Sequence, residues 1–260
     1  MLIDSHAHLE MKEFDADRDE VIKRAGDEGV DFIVTVGTNL KLSLRAVDLA
    51  EKNENIYATV GVHPHDVDKT DKDTWEALRE LANAHKDKIV AYGEIGLDFF
   101  RNISPQKKQL EIFGRQLELA QELNLPVIIH DREAHEQTLE IVKASGVRRG
   151  VFHCFSGDYE MAKKCIDLGF YISIPGVVTF NKAKTIQDVA RRVPLSSLLL
   201  ETDAPYLAPV PHRGKRNEPS FIIHTAKKVA EIKNISWTEV AQTTARNAMN
   251  LFGIEVFFAN

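Results

Sequence analysis

The chain has 260 residues, 43% of them hydrophobic and 28% charged, with 14 Gly and 9 Pro. That balance excludes disorder and collagen-like repeats, and the length suits one large α/β unit that buries its apolar surface without covalent staples. A count of 33 Lys+Arg against 39 Asp+Glu leaves a net charge of -6, which excludes coating nucleic acid by bulk charge but allows a local basic rim.

The first apolar run, Leu2–Ser5, predicts a strand. Asp17–Glu28 predicts an amphipathic helix, with Val21, Ile22 and Ala25 on one stripe and Gly29 as its stop. Phe32–Val36 and Ile56–Val60 read as strands, Asp73–His85 as a helix opened by Asp73 and Glu76, and Ile89–Gly93 as the fourth strand. Ser104 and Pro105 open the longest helix, which runs to about Leu123 with Leu110, Phe113, Leu117 and Ala120 at helical spacing. Strands follow at Val127–Ile129, Gly150–Phe152, Phe170–Ile174 and Leu198–Glu201, and a last helix starts at a Ser236–Glu239 capping box and reaches Phe252.

Near-continuous apolar strands alternating with helices indicate a parallel sheet buried on both faces. Eight repeats, with no glycine-rich dinucleotide fingerprint after the first strand, favour a closed (β/α)8 TIM barrel over an open doubly wound sheet. Nothing resembling a linker divides the chain, so residues 1–260 are expected to form a single domain. Cys154 and Cys165 are too few for a disulfide framework, which points to a reducing cytoplasm. The N-terminus has no basic start or long apolar stretch, and no run approaches the ~18 residues of a membrane span, so neither secretion nor membrane insertion is expected.

The strand ends carry the chemistry. The first runs into Asp4-Ser5-His6-Ala7-His8, the third into Gly61-Val62-His63-Pro64 and the fourth into Gly93-Glu94-Ile95-Gly96-Leu97-Asp98. The fifth ends at His130, the sixth at His153 and the eighth at Glu201-Thr202-Asp203. In a barrel the C-terminal strand ends meet at one mouth, so residues from His6 to Asp203 would converge there. Residues i and i+2 of a strand share a face, so His6 and His8 project together as a chelate. A lone strand-end histidine is more often a hydrogen-bonding residue than a ligand. Four imidazoles (His6, His8, His130, His153) with two carboxylates (Glu94, Asp203) are too many for one ion and enough for two, if one carboxylate bridges. Glu94, on the middle strand between the histidine groups, is the geometric candidate for the bridge.

These motifs, with His153-Cys154-Phe155-Ser156-Gly157, Glu201-Thr202-Asp203-Ala204-Pro205-Tyr206-Leu207 and Arg213-Gly214-Lys215-Arg216-Asn217-Glu218-Pro219, together resemble the TatD-type metal-dependent deoxyribonucleases, within the amidohydrolase-like barrels. The resemblance runs from residue 2 to about Phe252. It implies a binuclear metal centre acting on phosphodiester bonds, with His6, His8, Glu94 and Asp203 on one ion and Glu94, His130 and His153 on the other. Glu133 and Pro175 depart from the family pattern, both outside the ligand set.

On this reading a metal-bridged hydroxide attacks phosphorus, Asp203 is the general base, and His63 donates to a phosphate oxygen. Glu201, with the strand parity of Asp203, points either at a ligand or into an interior salt bridge. Arg213, Lys215 and Arg216, three cations in four residues beside the mouth, and Arg132, just past His130, suit a polyanion. Phe155 and Tyr206 are candidates for stacking on bases. Cys154 is expected to face the helices. Imidazole and carboxylate ligands suit Zn²⁺, Mn²⁺, Ni²⁺ or Fe²⁺ in the purified protein, with Mg²⁺ active at high concentration. The expected activity is a 3'-5' exonuclease on single-stranded or frayed DNA, without an obligate protein partner. The alternatives are hydrolysis of another ester or amide, such as an aminoacyl ester, a lactone or a small phosphoester, and a binding protein that merely retains metal.

Overall fold

In a computed structural model residues 1–255 are described. Eight strands, β1 (Leu2–Ala7), β2 (Val30–Val36), β3 (Ile56–Val60), β4 (Ile89–Asp98), β5 (Val127–Arg132), β6 (Gly150–Phe152), β7 (Phe170–Ile174) and β8 (Leu198–Leu200), form one parallel sheet in sequence order. A parallel bridge between Ala7 and Ala204 joins its two edges. There the Asp203 N–H donates to the His6 carbonyl at 2.9 Å and the His8 N–H to the Ala204 carbonyl at 2.7 Å. The sheet is thus the expected (β/α)8 barrel, closed just beyond the last residue of β8. Its strands are Val/Ile-rich because helices cover the outside and packed side chains fill the inside.

The helices are α1 (Arg18–Asp27), α2 (Leu40–Lys52), α3 (Lys72–Ala84), α4 (Gln106–Glu122), α5 (His135–Ser145), α6 (Tyr159–Asp167), α7 (Lys184–Arg192), α8 (Ile222–Lys233) and α9 (Trp237–Phe252). The last starts at Ser236 as expected, its hydroxyl accepting the Glu239 N–H at 3.1 Å, but among the described residues Glu239 does not return the bond that would complete the capping box. Two starts differ. The box at α3 is made by Asp71 and Thr74, not Asp73 and Glu76, because the shorter Thr74 hydroxyl reaches back to the Asp71 N–H. Ser104 does not cap α4. Its hydroxyl donates to the His65 carbonyl at 3.0 Å and to Asp68 at 2.7 Å, tying the start of α4 to the loop after β3.

The fourth strand runs five residues past its expected end at Gly93 and finishes at Asp98. Its pairing with β5 skips register between Tyr92 and Ile95, and Glu94 sits in that skip. Gly96 lies at φ +143°, where an added Cβ would stand 1.9 Å from the His130 carbonyl oxygen, so only glycine lets β4 run this close to β5. Both irregularities lie where the site is built.

Candidate metal centre at the barrel mouth

The mouth gathers six of the side chains expected there around one carboxylate. Glu94 is 3% exposed, and its two oxygens face different neighbours. Oε2 lies 3.5 Å from His6 Nε2 and 3.7 Å from His8 Nε2. Asp203 Oδ1 completes that side, 3.4 Å from His8 Nε2 and 3.8 Å from His6 Nε2. On the other side Oε1 lies 2.7 Å from both His130 Nδ1 and His153 Nε2. The two imidazoles of β1 come together as the i, i+2 spacing predicts, Nε2 to Nε2 at 3.3 Å.

This donor set fits divalent cations. Three groups of potential ligand atoms, His6/His8/Asp203, His6/Glu94/His153 and His63/Glu94/His130, each lie within 4.8 Å of one another. Lone pairs so crowded need protons or cations between them, and nitrogen with carboxylate oxygen suits a transition ion better than Mg²⁺. Among the described residues the buried ring nitrogens His6 Nδ1, His130 Nε2 and His153 Nδ1 make no hydrogen bond, a cost that a nearby carboxylate can offset.

Carboxylates behind the rings help to do this. Asp98 Oδ2 is 3.4 Å from His130 Nε2 and 2.7 Å from His65 Nε2. Glu10 Oε1 is 3.4 Å from His8 Nδ1, which also faces the Val36 carbonyl at 3.2 Å. Glu201, whose direction the sequence left open, lies 3.6 Å from His153 Nδ1 and accepts the Cys154 N–H. Such partners orient a ligating imidazole and raise its basicity. Asp98 and Glu10 stand in quoted motifs or beside them, but without the fold no spacing rule marks them as ring supports.

Charge follows this geometry. Burial alone would push the Glu94 carboxyl up, yet His153 and His63 beside it hold it well below the usual carboxylate range. Asp203 is likewise lowered against burial by its contact with His8 and by the His6 charge. Burial depresses the His63 imidazole to about 4, so the ring is neutral at pH 7. Its Nδ1 accepts the His65 N–H at 3.1 Å, which leaves the proton on Nε2, 3.5 Å from Glu94 Oε1. His63 therefore presents an N–H donor to the centre.

The expected basic rim divides. Arg132 lies over the Phe100 ring, its Cζ 4.1 Å from the centroid, and Arg213 over Phe180 at 4.5 Å. Neither makes an ion pair among the described residues, and Lys215 is exposed. Arg216 is different. Its guanidinium donates to Asp17 at 2.6 and 2.8 Å and to the Glu13 carbonyl at 2.7 Å, so its charge is spent tying the loop after β8 to the start of α1. This corrects its expected place among the substrate contacts. Phe155 is 4% exposed inside the core and cannot stack on a base, whereas Tyr206 is half exposed, its ring 6.2 Å from that of His8. Cys154 lies past the end of β6 at φ +41°, so strand alternation does not apply to it; the half-buried thiol is pushed well up by burial and by Asp203, rather than facing the helices.

The family described as "TatD related DNase" matches residues 3–253. The chain belongs to that family. A relative from Bacillus subtilis (strain 168), described as an uncharacterized metal-dependent hydrolase YabD, is 45% identical over 98% of this chain and 100% of its own length. A relative from Erwinia amylovora, described as a 3'-5' ssDNA/RNA exonuclease TatD, is 38% identical over 97% of this chain and 100% of its own. Among solved structures, the TatD homologue YJJV of Escherichia coli k12 superposes with a TM-score of 0.93, at 33% identity, covering 98% of each chain. This TatD-family chain is accordingly a metal-dependent hydrolase, and the cluster around Glu94 is its candidate metal centre.

Proposed function

We propose that residues 1–260 act as a single metal-dependent phosphodiesterase domain that shortens single-stranded or frayed DNA from its 3' end. The observation that carries this reading is the division of the two Glu94 oxygens between two separate ligand sets. On this reading His6, His8 and Asp203 would hold one ion and His130 and His153 a second, with Glu94 shared between them. Relatives described as ssDNA/RNA exonucleases support a nucleic-acid substrate. The imidazole-rich set supports Zn²⁺, Mn²⁺, Ni²⁺ or Fe²⁺ as the resident ions, with Mg²⁺ competent at high concentration. Free Cys154 and Cys165 support a cytoplasmic setting, and among the described residues no helix is long and apolar enough to cross a membrane.

When bound, the ions supply Lewis acidity at the phosphoryl oxygens and at the attacking water. The chain's own groups do the rest. Asp203, ionised at the barrel seam, takes the proton of the attacking water. His63 Nε2–H donates to a non-bridging phosphate oxygen as charge develops there. Glu94 holds the two ligand sets in register. Arg132, Arg213 and Lys215, which have no carboxylate partner among the described residues, receive neighbouring phosphates. A 5'-labelled single-stranded oligonucleotide, incubated with Mg²⁺, Mn²⁺ or chelator, tests the proposal. A metal-dependent ladder that vanishes with Asp203→Asn is expected. An intact oligonucleotide with folded, metal-loaded protein would overturn it and redirect the search to aminoacyl esters, lactones and small phosphoesters.

A further inference from the structure

The loop between β4 and α4 presents two large apolar side chains to solvent, Phe100 at 55% exposure and Ile103 at 57%. Lone exposed apolar residues are common, but these stand three residues apart on a loop that is tightly held. Asp98 Oδ1 accepts the Arg101 N–H at 2.7 Å. The fully buried Gln109 amide accepts from the Asp98 N–H at 2.8 Å and donates to the carbonyls of Ser104 at 2.7 Å and Asp98 at 3.2 Å. Loop geometry is therefore fixed while its hydrophobic side chains stay out of the core. Asp98 also faces His130, so Phe100 sits two residues from a support of the metal centre and within about 7 Å of it along the backbone. One face of the ring carries the Arg132 guanidinium, which has no carboxylate partner among the described residues.

An apolar ring backed by a free cation, rigidly placed beside a phosphodiester-cleaving centre, matches a nucleotide: a flat base and an adjoining phosphate. The geometry points to Phe100 as a nucleobase seat at the entrance, with the base of a single-stranded nucleic acid stacked on the open face of the ring and its phosphate on the Arg132 edge. This inference rests on the proposed phosphodiesterase reading and adds what holds the strand. Stacking on an aromatic side chain is tolerant of sequence and is worth about a 5- to 100-fold effect per base on truncation. Ile103 widens the same platform.

The test uses the full-length, Mn²⁺-loaded protein and two labelled oligonucleotides, oligo-dT and the same strand with abasic residues at its three 3'-terminal positions. Phe100→Ala should lower kcat/KM on oligo-dT by roughly tenfold and leave the abasic strand unchanged, while Phe100→Trp keeps the wild-type preference. Equal loss on both strands, which a merely structural role would give, or no loss on either, overturns the seat. If wild-type protein cuts neither strand, the phosphodiesterase reading fails, and the seat is then judged by fluorescence anisotropy. Tighter binding of oligo-dT than of the abasic strand, lost in Phe100→Ala, would uphold it; equal binding of the two by wild type would sink it.

Discussion

Replacing Glu94 by glutamine removes one charge and little else, and it tests the bridge directly. The carboxylate is 3% exposed and lies within 3.7 Å of five imidazoles, those of His6, His8, His63, His130 and His153. In such a buried setting the loss of one partner of a charged pair costs about 3–5 kcal/mol. Applied to each ion, that is a weakening of roughly 100- to 5,000-fold in affinity. Asp203→Asn removes a donor from the His6/His8/Asp203 group, and His130→Asn one from the His63/Glu94/His130 group. Metal content after dialysis against a chelator of fixed strength should therefore fall in steps: two ions for wild type, one for Asp203→Asn or His130→Asn, and none for Glu94→Gln. Circular dichroism checks that each variant is folded. A Glu94→Gln protein that keeps one tightly held ion would refute the bridge and assign Glu94 to a single set.

Three other perturbations probe the rim, the β4–β5 contact and a partly buried ion pair. Arg213→Gln should raise KM for an oligonucleotide by roughly tenfold, the loss of one charged contact, while Arg216→Gln should leave KM alone and lower Tm by about 2–4 °C, since its guanidinium is held by Asp17. Gly96→Ala should cost about 2–4 kcal/mol in denaturant unfolding and lower metal occupancy, because the new methyl meets the His130 carbonyl; wild-type stability would show that β4 and β5 can part freely. Glu218, although burial raises its carboxyl, is lowered overall by hydrogen bonds from Arg24 and Ser220. A depressed carboxyl contributes stability above its unfolded pKa, 4.5, and loses it as pH falls through the lower folded value, so the destabilisation by Arg24→Gln should be full at pH 7 and shrink below pH 4.5; a pH-independent difference in Tm would count against the pairing.

Much of the site was legible because its chemistry is local in sequence. His6 and His8 are two residues apart, and each remaining candidate ligand lies at or just past the expected end of an apolar strand, so strand count and alternation were enough to bring them together. Long-range partners were not legible. The charge of Arg216 looks free until Asp17, nearly two hundred residues earlier, is seen against it. Phe155 follows a ligand by two positions, as a stacking residue would, but the chain turns at Cys154 and sends it into the core. The run of β4 past Gly93 escaped notice because glycine usually ends a strand; here Gly93 and Gly96 let it press against β5, where a Cβ on Gly93 would meet Ile128. Phe100 gave no sequence signal at all, since an exposed phenylalanine and a core one are spelled the same.

Closure of the barrel and completion of the site are one structural event. The strand β8 is only three residues long, and the chain beyond it is held through β1. Asp4 accepts both the backbone N–H and the hydroxyl of Thr202, the Asp203 N–H donates to the His6 carbonyl, and the His8 N–H donates to the Ala204 carbonyl. Asp203 lies in this seam at φ +56°, a conformation that aspartate adopts more readily than most residues and that fixes where its carboxylate starts. The same backbone bonds that join first strand to last therefore set Asp203 Oδ1 against His8 Nε2. In the proposed mechanism Asp203 is thus a proton acceptor placed by barrel closure, which needs no separate loop to order it and is in position only when the whole fold has formed.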